Sequence, residues 1–127
     1  MINELANEIY LENKAKGFWD KPRNIGELLM LVTSELAEAL EADRKNKHTD
    51  NHYLQEMLVN DYSWEDSKLS FTTGFKRDIK DTFEDEIADA VIRLFDLAGG
   101  LNIDLDFHIK HKREYNKTRE AKHGKSY

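Results

Sequence analysis

Cysteine is absent from this chain of 127 residues, and proline occurs only once, at Pro22. Without cysteine the chain can form neither disulfides nor thiolate zinc sites, so the sequence carries no redox clue to its compartment. Long apolar runs are also missing: none approaches the ~20 residues of a transmembrane helix. Residues 1–20 lack the apolar centre of a signal peptide. We therefore expect a cytoplasmic protein that does not enter a membrane.

The composition favours helices. Charged residues make up 35% of the chain and apolar residues 39%. With so little proline, these proportions are typical of a helical globular protein and not of a β-sandwich or a disordered chain. The length suits one domain with a real core. We expect a single all-α domain over residues 1–127, built as a bundle of about four to five helices.

Apolar periodicity places the helices. Residues 2–16 and the stretch from Asn24 to about Asn46 have apolar residues at three- and four-residue steps, and Asn24 with Glu27 matches a capping box. A further helix is predicted from about Phe75 to Ala98, with Gly99 and Gly100 as its C-terminal stop. The remaining predictions are a last helix over 105–121 and a short helix near 53–59, inside an otherwise irregular segment over 47–75.

Two helices each carry a pair of acids three residues apart, Glu35 with Glu38 and Glu86 with Asp89. On a helical wheel of about 100° per residue, Glu35 and Glu86 fall inside the apolar arc of their helices, and their partners lie at its margin. Residues three apart project to the same side of a helix, so each pair forms a claw of two carboxylates. A carboxylate that faces a core costs several kcal/mol unless it is paired or metal-bound.

Facing claws predict an oxygen-rich site for a hard divalent cation, Mg²⁺ or as a substitute Mn²⁺, which in turn mostly binds phosphates. Two alternatives stay open. In the first, the protein is a non-catalytic bundle that oligomerises through its apolar faces, its acids paired with basic side chains. In the second it is a carboxylate-bridged iron or manganese protein, although such bundles normally take histidine as well. The basic candidates for the first alternative are Arg93, Arg44 and Lys80.

The net charge of −6 argues against binding to a nucleic-acid polymer, which usually requires a basic surface. The C-terminal region nevertheless has seven Lys or Arg and only two Glu between Lys110 and Lys125. On the predicted last helix, Lys112, Asn116, Arg119 and His123 fall within about 60° of one another. Such a stripe suits the oxygens of a polyphosphate, or else it is an ordinary solvated helix end.

Trp19 follows Phe18 in the loop after the first helix, where Gly17 and Pro22 interrupt the helical pattern. Two adjacent aromatic residues in a loop can fill a gap in the core. They can also offer a flat surface on which a nucleotide base stacks.

Together, these motifs resemble the MazG-like family of all-α nucleotide pyrophosphohydrolases. The segments that carry the resemblance are Ser34–Ala42, Glu84–Arg93 and the tail from Lys112 to Lys125. The resemblance covers most of the chain except about residues 47–75. It implies hydrolysis of a nucleoside triphosphate between its α and β phosphates, which yields a monophosphate and pyrophosphate.

The resemblance also implies roles for individual residues. Glu35, Glu38, Glu86 and Asp89 would be the magnesium ligands. Our own mechanistic hypothesis, apart from the resemblance, is that Glu38 serves instead as the general base, acting through a water. Substrate contacts would come from Lys112, Asn116 and Arg119 on the phosphates and from Trp19 on the base. Members of this family usually form homodimers or homotetramers that complete a shared helical bundle. One departure is Ser34, which stands where many relatives have a further acid.

Overall fold

The computed structural model describes residues 1–50 and 64–119. This part of the chain has five helices and no strand, which confirms the predicted all-α class. The helices are α1 (Ile2–Ala15), α2 (Ile25–Arg44), α3 (Trp64–Asp78), α4 (Phe83–Gly100) and α5 (Leu105–Lys117). None of these helices is both long enough and apolar enough to span a bilayer.

The single helix predicted from Phe75 to Ala98 is wrong, because the chain forms two helices there. α3 begins at Trp64, inside the segment expected to be irregular, and α4 begins at Phe83. Between them Asp81 adopts a left-handed backbone with φ 67°. The Thr82 hydroxyl then accepts a hydrogen bond from the backbone N–H of Asp85 at 3.3 Å. A threonine cap of this kind begins a new helix without any glycine or proline.

The last helix is shorter than predicted. α5 ends at Lys117, and Thr118 is its C-cap residue, whereas the prediction extended to Ala121. The Thr118 hydroxyl donates to the carbonyl of Tyr115, a local bond typical of a helix end. His123 and the short helix predicted over 53–59 lie outside the described residues.

The chain divides into two compact units, of which the first comprises Met1–Arg23 and Leu94–Tyr127. In this unit, Asp106 near the start of α5 satisfies the free backbone N–H groups of α1. Its carboxylate accepts from the backbone N–H of Ile2 at 3.0 Å and of Asn3 at 3.2 Å, and from the Met1 ammonium at 3.1 Å. In return, the side-chain oxygen of Asn3 accepts a hydrogen bond from the backbone N–H of Asp106. The two helix starts are therefore fastened together.

Gly99 and Gly100 have a packing role that differs from the predicted helix stop. Both lie inside α4, and the left-handed residue that follows this helix is Asn102, with φ 57°. A Cβ on Gly99 would lie 2.6 Å from the Ala6 carbonyl oxygen, so the glycine lets α1 approach the end of α4 closely. A Cβ on Gly100 would lie 2.6 Å from Cζ2 of Trp19.

The second unit comprises Asn24–Arg93. It begins at the predicted cap, where the Asn24 side chain accepts from the Glu27 N–H at 3.2 Å. α2 buries a narrow face of small residues and one acid, and it leaves its larger apolar residues exposed. The buried residues are Val32, Glu35, Ala39 and Ala42, and the exposed ones are Ile25, Leu29, Met30, Leu36 and Leu40.

Residues 46–48, which follow α2, contact the start of α4. Asn46, with φ 56°, ends α2, and the Lys47 carbonyl accepts from the Phe83 N–H at 2.8 Å. His48 then bridges two carboxylates, since its Nε2 lies 3.0 Å from Asp43 and its Nδ1 lies 3.0 Å from Glu84. These contacts hold the first turn of α4 against the last turn of α2.

Candidate metal centre

The four predicted metal ligands all belong to the second unit, two on α2 and two on α4. Glu35 is buried with 8% of its surface exposed, and Glu86 is buried with 4% exposed. Asp89 is half-buried and Glu38 is exposed. The burial follows the helical wheels: in each pair one acid faces the interior and the other lies toward its edge.

Three of these acids meet. Glu35, Glu86 and Asp89 each offer a carboxylate oxygen, and these oxygens lie within 4.8 Å of one another. Within the described residues, Oε2 of Glu86 is buried and has no hydrogen-bond partner. An ionised carboxylate can only accept, so this oxygen requires either a proton or a cation. Glu38 is not one of these three, but it lies close enough to influence the pKa values of Glu35 and Glu86.

Arg93 supplies one positive charge to the same group. Its Nε donates to Oε1 of Glu35 at 2.8 Å. The pair is partly shielded from water, because 11% of the Glu35 side chain and 35% of the Arg93 side chain are exposed. Arg93 was one of the three basic candidates for the ion-pair alternative, and it pairs with one of the four acids.

The pKa of Glu86 rises to about 8. Burial is the main cause, because it disfavours the charged carboxylate. Hydrogen bonds to Glu35 and Glu38 add to the rise, since Glu86 must carry the proton that these bonds need. In the metal-free protein Glu86 is therefore mostly a neutral acid at neutral pH.

The pKa values of the neighbouring acids Glu35 and Asp89 shift in opposite directions. Burial opposes ionisation of Glu35, but the hydrogen bond from Arg93, together with those from the neighbouring acids, outweighs it and lowers the pKa of Glu35. Burial raises the pKa of Asp89, and the negative charge of Asp85 adds to the rise. The group thus combines one acid whose pKa is lowered with two whose pKa values are raised, and a bound cation would favour the ionised form of all three.

The sequence reasoning missed a second acidic group at the start of α4. Oxygens of Asp81, Asp85 and Glu86 also lie within 4.8 Å of one another. Asp85 accepts from the Asp81 N–H at 3.0 Å, and Lys80 pairs with Asp81 at 3.2 Å. The pattern of threonine followed three residues later by aspartate was the available signal, because it marks a helix start.

The predicted phosphate contacts belong to the first unit. Lys112 and Asn116 are exposed residues of α5, whereas Arg119, also exposed, lies two residues beyond the end of this helix at Lys117. The Lys112 ammonium lies 5.2 Å from the ring centre of Tyr115, and the Arg119 guanidinium carbon lies 5.5 Å from it. The stripe therefore has an aromatic residue between its two cations, which the wheel alone did not emphasise.

Trp19 also belongs to the first unit, where its indole N–H donates to Asp96 at 2.9 Å. Its ring meets Tyr10 edge-on, with 5.3 Å between ring centres, and it covers Gly100. These are the contacts expected of a residue that fills a gap in the core, and the neighbouring Phe18 is 48% exposed. Base stacking by Trp19 stays a prediction.

The acid group consists of oxygen donors only, a set that suits hard cations such as Mg²⁺ and Mn²⁺. Neither acidic group within the described residues includes a histidine, which disfavours an iron site. No family model, no curated protein and no solved structure matches the chain.

Proposed function

We propose that this protein is a Mg²⁺-dependent nucleoside triphosphate pyrophosphohydrolase. The observation that carries the proposal is the buried Glu86, whose Oε2 lacks a partner in the described residues while Glu35 and Asp89 stand beside it. A structural ion pair explains Glu35 but leaves this oxygen without a counter-charge. A divalent cation supplies that charge, so the donor set fits the metal that the family resemblance implies.

The proposed metal ligands are Glu35, Glu38, Glu86 and Asp89. When bound, Mg²⁺ would neutralise phosphate oxygens and lower the pKa of a bound water. Glu38 is exposed and lies beside the buried acids, so its carboxylate would accept a proton from the attacking water. Water then adds to the α phosphorus, the bond from the α phosphorus to the bridging oxygen breaks, and pyrophosphate leaves.

The substrate contacts proposed from the resemblance are Lys112, Asn116 and Arg119 on the phosphates and Trp19 on the base. Lys112 and Arg119 have no carboxylate partner within the described part of the chain, so their charges are available to an anion. A cationic stripe of this kind would balance the charge of the departing pyrophosphate.

We also propose that the protein is a cytoplasmic homodimer or homotetramer. α2 and α4, the helices that carry the acids, each expose a row of large apolar side chains on another face. Leu29, Leu36 and Leu40 on α2 and Val91 on α4 are between 41% and 50% exposed. Rows of this size usually mark an interface. A second copy would bury them and complete the bundle.

The test is incubation with a panel of nucleoside triphosphates and Mg²⁺, with products resolved by anion exchange. Wild-type protein should release monophosphate and pyrophosphate, and Glu86→Gln should lose the activity. Glu41→Gln is the matched control, because Glu41 is an exposed acid of α2 that pairs with Lys45. Release of diphosphate and phosphate would contradict the proposed bond cleavage. No turnover without any bound metal would favour the non-catalytic bundle, for which the Arg93 pair is the supporting observation.

A further inference from the structure

Arg93 is placed to do more than pair with one acid. It lies four residues after Asp89 and seven after Glu86, so it shares the face of α4 that carries the acids. Its Nε donates to Glu35 at 2.8 Å. The two terminal nitrogens of the guanidinium make no hydrogen bond within residues 1–50 and 64–119, and about a third of the side chain is exposed.

We propose that Arg93 binds phosphate oxygens of the substrate through these two terminal nitrogens, while its Nε holds Glu35. The inference rests on the proposed function and adds a substrate-binding residue to it. The resemblance assigns phosphate contacts only to Lys112, Asn116 and Arg119, in the first unit. Arg93 is a further cation, located within the acid group itself.

The geometry of the guanidinium supports this role. Arginine presents its donors in a rigid planar fork, and the edge formed by the two terminal nitrogens matches two oxygens of a phosphate. A purely structural pair is strongest when the carboxylate accepts from two nitrogens at once. Here the only guanidinium nitrogen that donates to Glu35 is Nε, so the two terminal nitrogens are unused in the described structure.

The charge of the group leads to the same conclusion. A triphosphate is an anion and would have to approach at least one ionised carboxylate, that of Glu35. Arg93 neutralises that carboxylate through its Nε, and its two terminal nitrogens remain available as donors. Holding Glu35 and binding phosphate are therefore compatible tasks for one guanidinium.

The experiment measures binding of inorganic tripolyphosphate at saturating Mg²⁺ by titration calorimetry, which requires no turnover. Arg93→Gln removes both the charge and the fork. Arg93→Lys retains the charge and can still pair with Glu35, but it cannot bind two oxygens in one plane. Arg44→Gln is the matched control, because it removes the same charge from an exposed position in the same unit. Circular dichroism checks that each variant is folded.

Loss of a charge-assisted pair of hydrogen bonds should weaken tripolyphosphate binding about tenfold or more in Arg93→Gln. Arg93→Lys should fall between this variant and wild type, and Arg44→Gln should stay within about twofold of wild type. If Arg93→Gln binds as wild type does, or if Arg44→Gln weakens binding equally, the inference is wrong and the proposed function survives. If wild-type protein binds no tripolyphosphate in the presence of Mg²⁺, the proposed function itself fails. Should Arg93→Gln be unfolded, Arg93→Lys decides: binding equal to wild type then overturns the inference.

Discussion

The metal-free protein should become more stable when Glu86 is replaced by Gln. Substitution of a buried side chain usually destabilises a protein. Here the wild-type residue is an acid whose pKa is about 8 in the folded protein, against 4.5 as its ordinary value. Glutamine has the same shape as the neutral acid and can still donate a hydrogen bond to Glu35. It retains the favourable contacts and cannot ionise.

The sign and the size follow from the two pKa values. Below pH 4.5, Glu86 is protonated in both the folded and the unfolded chain, so its ionisation makes no difference to the free energy of unfolding. Between that value and about 8 only the unfolded chain releases the proton, and stability falls by about 1.4 kcal/mol per pH unit. At about pH 7 the accumulated loss is about 3 kcal/mol, which Glu86→Gln should recover.

Urea unfolding in the presence of a chelator measures the difference. Wild type, Glu86→Gln and the surface control Glu41→Gln should be compared at about pH 4 and pH 7. The variant should exceed wild type at neutral pH only, and the control should follow wild type at both values. A Glu86→Gln protein that is less stable than wild type at neutral pH would refute the reasoning, because Glu86 would then be ionised and well compensated.

Adding Mg²⁺ should reverse the ranking. A cation that binds the folded protein stabilises it by about 4.1 kcal/mol at a thousand times its dissociation constant, which exceeds the advantage of about 3 kcal/mol expected for Glu86→Gln. Wild type should gain this stabilisation as the metal replaces the proton on Glu86, whereas Glu86→Gln has lost that ligand and should gain much less. Equal gains in both proteins would place the metal away from Glu86.

Three further predictions concern the rest of the chain. The carboxylates of Glu84 and Asp43 flank His48 and raise its pKa above 6.5, so the stability that His48 contributes should be complete below pH 6.5 and lost as the pH rises through the higher, folded pKa. The measurement is the difference in unfolding free energy between wild type and His48→Gln from about pH 5 to 8, and a difference that stays constant would contradict the prediction. Leu36→Glu should convert the proposed oligomer to monomer in light scattering, while Ala37→Glu, an exposed control, should not; a wild-type monomer would overturn this expectation. Gly100→Ala should destabilise the protein by about 1–3 kcal/mol in chemical denaturation, because the new methyl group meets the ring of Trp19, and unchanged stability would show that the ring can move aside.

Much of the fold could be predicted because the apolar period is strong where helices have one buried face. α1 and α2 follow their patterns closely, and the Asn24 cap was legible from its chemistry. The break between α3 and α4 could not be predicted, because no glycine or proline marks it and apolar residues continue on both sides. Thr82 with Asp85 supplied the only local signal, and a capping pattern inside a long helical stretch is easily read as part of the helix.

The sequence was enough to predict which acids of the group are buried, but not which of them are ionised. A wheel places Glu35 and Glu86 inward because it needs only the helix period. It cannot show that Glu35 keeps its charge and Glu86 loses it, since that depends on where the single guanidinium of Arg93 lies. The stacking of two cations around Tyr115 likewise depends on side-chain rotamers.

The choice between a metal site and a structural bundle comes down to how the acids are neutralised. Of the three basic residues considered as partners, Arg93 pairs with Glu35 and Lys80 pairs with Asp81, outside the predicted ligand set. A structural bundle must therefore keep Glu86 neutral by protonation, and such a protein would lose stability as the pH rises toward 8. A metal site has the same weakness only while it is empty, because a bound cation removes the need for the proton. The protonation state of Glu86 in the presence of Mg²⁺ thus separates the two functions more directly than any count of acids.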